Sequence, residues 1–464
     1  MPPEKIDFAV IGAGPAGMAA ATLAAELGLD TLLVDEQDAP GGQIYRGIER
    51  AEGGSGLGAD YFAGVPLAAA LRRSGAKYLP ATTVWHIDPD GTLSLVSPGS
   101  SAAASHTIRA RRILIATGAI ERPVPIPGWT LPGVMTVGAA QIMLKTAGLV
   151  PSGRAVLAGQ GPLMWLVAAQ LVHAGAPPAL ILETTPHANH HAAARLLPGL
   201  VWPARRALWK GLSLIREVRR AGIPIARAVT GLRALGRGVG DGRVESVAWD
   251  GGEAPADLLM LHEGVIPNTQ ISLALQLDHR WDRAQFCWRP IVDDWGATGL
   301  QTLSIAGDGG GIAGAAAAVL TGRLAALDAA SFLDKIEPVD RDRRARPLRR
   351  ALKRELAIRP LLDALYRPTP AVLVPEDGVI ACRCEEVTVA QIRRAARLGA
   401  QGPNQAKAFT RCGMGPCQGR ICGPIVSAVM ADTLQKPIAE IGAYRPRAPY
   451  KPITLGALAG LREP

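Results

Sequence analysis

The segment Ile6 to Gly47, IDFAVIGAGPAGMAAATLAAELGLDTLLVDEQDAPGGQIYRG, constrains the fold more than any other part of the chain. An apolar run, a Gly-rich turn, a run of small residues and a second apolar run ending at Asp35 read as strand, turn, helix and parallel strand. Gly12 permits the tight turn, Gly14 lets backbone approach a pyrophosphate, and Gly17 lets the helix pack close to the strand, with helix N–H groups aimed at the anion. Asp35, with Glu36 beside it, falls where a carboxylate accepts hydrogen bonds from ribose hydroxyls. A lone GxGxxG is weak, but the strand before it, the helix after it and the acid at the expected distance make this a dinucleotide site.

At 464 residues the chain has room for about three domains, each with its own core. Hydrophobic residues make up 48% and charged residues 19%, with 53 glycines and 37 prolines, a globular and loop-rich composition rather than a disordered one. Most of the net charge of +10 sits between Arg341 and Arg359, where nine basic residues meet two acidic ones. With no aromatic platform or binding motif beside it, that stretch reads as a solvated linker helix or a docking surface for an acidic partner, not as a nucleic-acid contact. Residues 155–182 carry no charge, but Gly159, Gly161, Pro162, Pro177 and Pro178 divide them into strand, turn, buried helix, turn and strand, so no transmembrane segment is expected. Glu4, Lys5 and Asp7 precede the first strand and no cleavable signal is evident, which predicts a cytoplasmic protein, peripheral to a membrane only through its complex. Five of the six cysteines fall between Cys382 and Cys422, a clustering that suits cluster or metal ligation in a reducing compartment.

The first fingerprint alone does not separate FAD from NAD. Three later segments bear on the choice: Gly41-Gly42-Gln43 after the second strand, RRILIATGA with Thr117 and Gly118 at a strand end, and LSIAGDGGGIAGAAAAVLTGRLAA with Asp308 before a small-residue helix. Together they resemble the two-dinucleotide-domain flavoproteins over residues 6 to 335. That resemblance implies an FAD domain interrupted by an inserted domain, with Gly307-Asp308 in the place of the family's late Gly-Asp, whose Asp holds the ribityl chain. The expected FAD residues are Gly12, Gly14, Gly17, Asp35, Glu36, Gly42, Gln43, Thr117, Gly118 and Asp308. The redox cysteine pair of the disulfide reductases is missing from both its usual places, so thiol–disulfide exchange is not the expected chemistry.

RAVLAGQGPLMWLVAAQLVHAG repeats the strand–turn–helix pattern with Gly159 and Gly161, and LILETT brings Glu183 to the end of the next strand. It looks like the inserted NAD domain, closing at LLMLHEGVIPNTQ. Met164 stands where a third glycine is expected, which changes helix packing and the approach of a nucleotide, while Glu183 favours NAD over NADP. Two readings stand: a working second nucleotide site, and a retained fold no longer used for hydride exchange. His187, His190 and His191 match no zinc spacing and read as helix or loop surface. Cys287, among tryptophans and far from the other cysteines, reads as core.

Past the basic stretch and a Pro-rich boundary come ACRCEEVTVAQIRRAARLGA and QAKAFTRCGMGPCQGRICGPIV, with Cys382, Cys384, Cys412, Cys417 and Cys422. A Cys-x-Cys pair and later cysteines can supply four thiolates to zinc or to the two irons of a [2Fe-2S] cluster, and the neighbouring Gly and Pro leave backbone N–H groups free for the sulfurs. The segment resembles the small [2Fe-2S] domain of bacterioferritin-associated ferredoxin (BFD), whose third ligand lies a little over thirty residues after the second. Cys417, 33 residues after Cys384, matches that better than Cys412, 28 after it. The expected ligands are therefore Cys382, Cys384, Cys417 and Cys422, with Cys412 as the alternate. The last pair has four intervening residues where the small ferredoxin has two.

GGQIYRG, the ATG segment, HEGVIPNTQ, the late Gly-Asp, CRCEEVT and TRCGMGPCQGRICG occur in one order along nearly the whole chain. That combination resembles the FAD and [2Fe-2S] subunits of hydroxyproline dehydrogenase, octopine and nopaline oxidases and the B subunit of hydrogen cyanide synthase. The resemblance implies an electron-transfer subunit whose partner, a flavoprotein of the D-amino-acid-oxidase type, oxidises a C–N bond of an amino acid, opine or hydroxyproline, with room for a further small subunit. The rival reading is a self-sufficient NADH-dependent reductase. The expected fold is α/β: a discontinuous FAD domain (1–124 and 266–335), a second Rossmann-like domain (125–265), a basic linker helix (336–375), a BFD-like [2Fe-2S] domain (376–430) and a C-terminal docking tail (431–464).

Overall fold

The structure, a computed structural model, describes residues 4–461 apart from 52–55, 98–104, 201 and 237–241. Its first sheet has seven strands. Lys77–Leu79, Thr31–Val34, Glu4–Ile11, Ser105–Ile115 and Leu303–Ile305 run parallel, and Thr92–Val96 and Thr83–Ile87 extend the sheet antiparallel from the first half of Ser105–Ile115. Phe8, Ala9, Val10, Ile113 and Leu114 are fully buried, as expected of central parallel strands covered on both faces.

Two small-residue helices, Pro15–Glu26 and Ala315–Phe332, pack against each other on one face of this sheet. Their closeness depends on absent side chains: a Cβ on Gly322 would lie 2.2 Å from the Ala16 carbonyl oxygen, and one on Gly17 would lie 1.8 Å from that of Gly12. Glycine at these places is a packing requirement. The second helix joins residues 303–332 to the N-terminal unit, so the first domain is discontinuous in sequence.

The second unit is a five-stranded parallel sheet in the order Ile225–Ala226, Leu180–Glu183, Ala155–Gln160, Leu258–Glu263, Val134–Thr136. The uncharged stretch forms strand Ala155–Gln160, helix Pro162–His173 and strand Leu180–Glu183. Met164, within that helix, is fully buried with Leu157, Val167 and Met260. Val265–Pro267 pairs with Ala119–Glu121 where the chain crosses back to the first unit.

The basic stretch is helical over Pro338–Leu356, followed by the helix Arg359–Leu365. The cysteine unit has a two-stranded ribbon, Ile380–Cys382 with Val387–Thr388, and helices Val389–Arg397, Pro403–Thr410 and Gly423–Leu434. Thr388 and Gln391 form a reciprocal capping box at the first of these helices. Trp129 ties this unit to the second nucleotide unit, donating from Nε1 to the Ile380 carbonyl at 2.8 Å. The C-terminal segment packs within the chain: Tyr444 is buried in the cysteine unit, and Tyr450 is buried against the first sheet with its hydroxyl 3.1 Å from the Ile87 amide.

Candidate flavin and cysteine sites

The first Gly-rich turn gathers the residues expected around a dinucleotide. Gly41 N–H donates to the Ala13 carbonyl at 2.8 Å, and a Cβ on Gly42 would lie 2.8 Å from Gly14 Cα, so the GGQ segment lies directly on the turn. Asp35 accepts from Ala13 N–H through Oδ2 at 2.5 Å and from Gln37 N–H through Oδ1 at 2.7 Å, and burial pushes its carboxyl above the usual range. Glu36 turns outward and pairs with Lys451 of the C-terminal segment, and the exposed Gln43 offers its carbonyl to Lys145 at 3.3 Å. On the far side, the Asn268 amide donates to the Gly118 carbonyl at 3.0 Å, and Asp308 Oδ1 accepts from Ala313 and Gly314 N–H at 2.8 and 2.9 Å.

Two observations fit this place to a bound flavin dinucleotide. Gly14 has φ −73°, and a Cβ there would meet only Gly42 Cα at 3.9 Å, so the protein itself makes no demand for glycine at that position. A group outside the chain, passing close to the turn, does make that demand. Thr117 Oγ1 and Asn268 Oδ1 are buried with no hydrogen-bond partner among the described residues, which leaves polar atoms for a ligand to satisfy.

The second Gly-rich turn is different. Glycine at 159 is needed by the fold itself, since φ is +139° and a Cβ would lie 1.8 Å from the His262 carbonyl oxygen. Gly161 (φ +120°) faces the ring of His262, which hydrogen-bonds Glu121 at 2.7 Å. Over the carboxyl ends of the strands, where a nucleotide would enter, lies the chain's own segment 365–367. Gln160 Nε2 donates to Glu263 Oε2 at 2.7 Å and to the Arg367 carbonyl at 3.3 Å, and Asn189 Nδ2 donates to the carbonyls of Leu365 and Arg367 at 3.1 and 2.9 Å. Burial, with the charge of Glu183 adding to it, pushes the Tyr366 hydroxyl up to about 12. Glu263, fully buried and raised by desolvation, also accepts from Thr184 Oγ1 at 2.5 Å. Gly159, Gly161 and Glu183 thus come together as the sequence expects, but beneath a cover supplied by the linker. Sequence reasoning missed this cover, because only tertiary folding brings residues 365–367 to this crevice.

The cysteines converge in two groups. Cys382, Cys412 and Cys422 are buried with sulfurs all within 4.8 Å of one another, and Cys384 and Cys417, nearer the surface, lie 3.7 Å apart. Sulfurs of Cys412 and Cys422, together with N–H groups of Gly413 and Glu385, hydrogen-bond Cys382 and bring its thiol down to about 2, while Cys412 is pushed up to about 12. The glycines of the motif make room for this packing: a Cβ on Gly415 would lie 2.3 Å from Cys384 Cβ, and Cβ atoms on Gly413 and Gly419 would collide with the Tyr444 ring. Tyr444 in turn donates to the Cys412 carbonyl at 2.7 Å. The all-sulfur donor set fits a soft metal or an iron–sulfur cluster, which takes four thiolates, two on each iron. Five sulfurs stand in one neighbourhood, and Cys412 is as central as the expected ligands. The isolated Cys287 is buried and pushed up to about 12, and His187, His190 and His191 lie exposed on helix His187–Ala194.

Residues 6–322 match the pyridine nucleotide-disulphide oxidoreductase family, and residues 381–461 match the sarcosine oxidase A3 domain. The class defined is an oxidoreductase on a flavin- and nucleotide-binding fold, extended by a cysteine-bearing C-terminal unit. The opine oxidase A subunit of Rhizobium meliloti is 44% identical over 99% of both chains, and the hydrogen cyanide synthase subunit HcnB of Pseudomonas aeruginosa is 33% identical over 97% of this chain and 98% of its own. The chain belongs to the family of the opine oxidase A subunit and hydrogen cyanide synthase HcnB. Among solved structures, L-proline dehydrogenase from P. horikoshii shares the fold, with TM-score 0.70 and 20% identity, over 99% of this chain and 80% of that one.

Proposed function

We propose that this chain is the electron-transfer subunit of a heteromeric flavoenzyme that oxidises a C–N bond of an amino acid, opine or hydroxyproline-like substrate on a partner flavoprotein. The observation that carries the reading is the likeness to the opine oxidase A subunit over 99% of both chains. In this reading FAD is held by the turn Gly12–Gly17, Asp35, Gly42, Thr117–Gly118 and Asp308. Four of the five clustered cysteines hold a [2Fe-2S] group, for which we retain Cys382, Cys384, Cys417 and Cys422. Bound flavin handles electrons in ones or twos and a [2Fe-2S] cluster handles one, so the pair couples a two-electron oxidation to single-electron delivery. The chain's contribution is to orient both groups, exclude water from the buried sulfurs and direct backbone N–H groups at them.

The reading as a self-sufficient NADH reductase needs the second crevice to admit a nucleotide. The Tyr366–Arg367 cover over Gln160 and Glu183 counts against it. The test is dye reduction with candidate amines, opines and hydroxyproline by this chain, by the D-amino-acid-oxidase-type partner and by both together, with flavin and iron occupancy checked beforehand. Activity only in the mixture is expected. Full turnover by this chain alone overturns the division of labour.

A further inference from the structure

Residues 444–451 bridge the cysteine unit and the first unit, and a glutamine holds them from each side. On the first unit's side, the buried Gln270 donates from Nε2 to the Tyr450 carbonyl at 2.6 Å, and its Oε1 accepts from Arg420 Nη1 of the cysteine loop at 3.4 Å. On the cysteine side, Gln418 donates from Nε2 to the Pro449 carbonyl, and its Oε1 accepts from Arg447 N–H at 2.9 Å. Each side-chain amide is thus bonded at both ends. Two tyrosines anchor the ends of the segment: Tyr444 donates to the Cys412 carbonyl at 2.7 Å, and the Tyr450 hydroxyl accepts from Ile87 N–H at 3.1 Å. Lys451 pairs with Glu36, the neighbour of Asp35.

Both glutamines stand next to the residues assigned to the two redox groups. Gln270 begins the helix Gln270–Ala274, two residues after Asn268, whose Oδ1 is buried without a partner among the described residues at the flavin site. Gln418 follows Cys417 directly. Arg420 lies between Cys417 and Cys422, and its amide donates to the Cys417 carbonyl at 3.0 Å. A connection of few members therefore runs from Asn268 through Gln270 and Arg420 to the loop that carries two of the expected cluster ligands.

We infer that Gln270 and Gln418 are positioning residues: through segment 444–451 they fix the separation between the flavin and the iron–sulfur group, so that single electrons pass between the two inside this chain. The inference rests on the FAD and [2Fe-2S] sites proposed above. Each transfer moves one electron, lost by reduced flavin and gained by the oxidised cluster; no bond of the chain is made or broken, and the flavin's proton leaves to solvent. An amide bonded at both ends cannot turn without leaving a partner unmet, which gives this crossing a defined geometry. The same contacts count against the segment as a docking strand for a partner, because the Arg447 N–H and the Pro449 and Tyr450 carbonyls are already bonded inside the chain.

The experiment uses the full chain loaded with FAD and iron, without its partner. Blue light with a tertiary-amine donor reduces the bound flavin, and EPR of rapidly frozen samples follows the arrival of the electron at the cluster. Dithionite gives the full cluster signal for reference, and rates are taken per chain that holds both groups. Gln270→Leu and Gln418→Leu should keep the dithionite signal while transfer from the flavin slows about tenfold. Tyr450→Phe removes the hydroxyl but keeps the carbonyl that Gln270 binds, and should transfer at the wild-type rate. A merely structural role would lower FAD or iron content and leave the rate per loaded chain unchanged, which overturns the inference. A loaded wild-type chain whose reduced flavin passes no electron to the cluster overturns the inference alone, whereas a wild-type chain that holds no FAD or no iron overturns the proposed function with it.

Discussion

Asn189 donates its side-chain amide to the Arg367 carbonyl at 2.9 Å, joining the helix that follows the second nucleotide strand to the linker that covers it. With Gln160 donating to the same carbonyl, segment 365–367 lies over the strand ends where a nicotinamide nucleotide would enter.

NADH should therefore react weakly. Mixing micromolar NADH with the flavin-loaded protein should give no rapid bleaching of the flavin in stopped-flow absorbance. Tyr366→Ala should destabilise the fold by about 2 kcal/mol while increasing NADH binding measured by fluorescence quenching. Rapid reduction of the wild-type flavin would restore the reductase reading.

The second and third glycines of the first fingerprint separate packing from ligand binding. Gly14→Val should fold and lose FAD, because its side chain enters the space kept for the pyrophosphate, whereas Gly17→Ala should lose stability directly, its Cβ falling 1.8 Å from the Gly12 carbonyl oxygen. Flavin content after gel filtration and a thermal melt measure the two effects. A folded Gly14→Val chain that keeps its FAD contradicts the site.

Iron and acid-labile sulfide should each come to about two per chain. Serine at Cys382, Cys384, Cys417 or Cys422 should abolish or alter the EPR signal of the reduced protein, and serine at Cys412 should largely preserve it. Because Cys412 stands with Cys382 and Cys422 in the buried group, the informative comparison is Cys412→Ser against Cys422→Ser. The reverse pattern reassigns the second iron.

Gly415→Ala should lower iron occupancy without touching a thiol, since the new methyl group would lie 2.3 Å from Cys384 Cβ and move that sulfur away from Cys417. Tyr444→Phe is the milder control. It removes one hydrogen bond from a buried carbonyl, should cost about 1–2 kcal/mol in thermal stability, and should leave the EPR line shape close to wild type. Equal iron content in wild type and Gly415→Ala would show that the cysteine loop yields easily.

Local sequence determined the repeated strand–turn–helix units. Their glycines, apolar runs and terminal acids act over a few residues, so the pattern specifies the geometry wherever the unit sits. Gly12, Gly17 and Gly159 are legible for that reason, each answering to a backbone contact within its own unit or with the adjoining strand. The grouping of five cysteines was legible too, because short gaps keep them near each other in any compact fold. Tertiary structure decided what spacing does not encode. Cys412 joins Cys382 and Cys422 because the ribbon and the start of helix Gly423–Leu434 bring their sulfurs together, although Cys412 lies 30 residues after Cys382. Tyr366 and Arg367 cover the second crevice although they lie about two hundred residues from Gly159 and Gly161, a distance over which no periodicity carries information. Tyr444 and Tyr450 turn the tail inward through burial of two aromatic rings. These contacts arise from packing between units, where the energy of burying a side chain depends on which surface it meets and not on its neighbours in sequence.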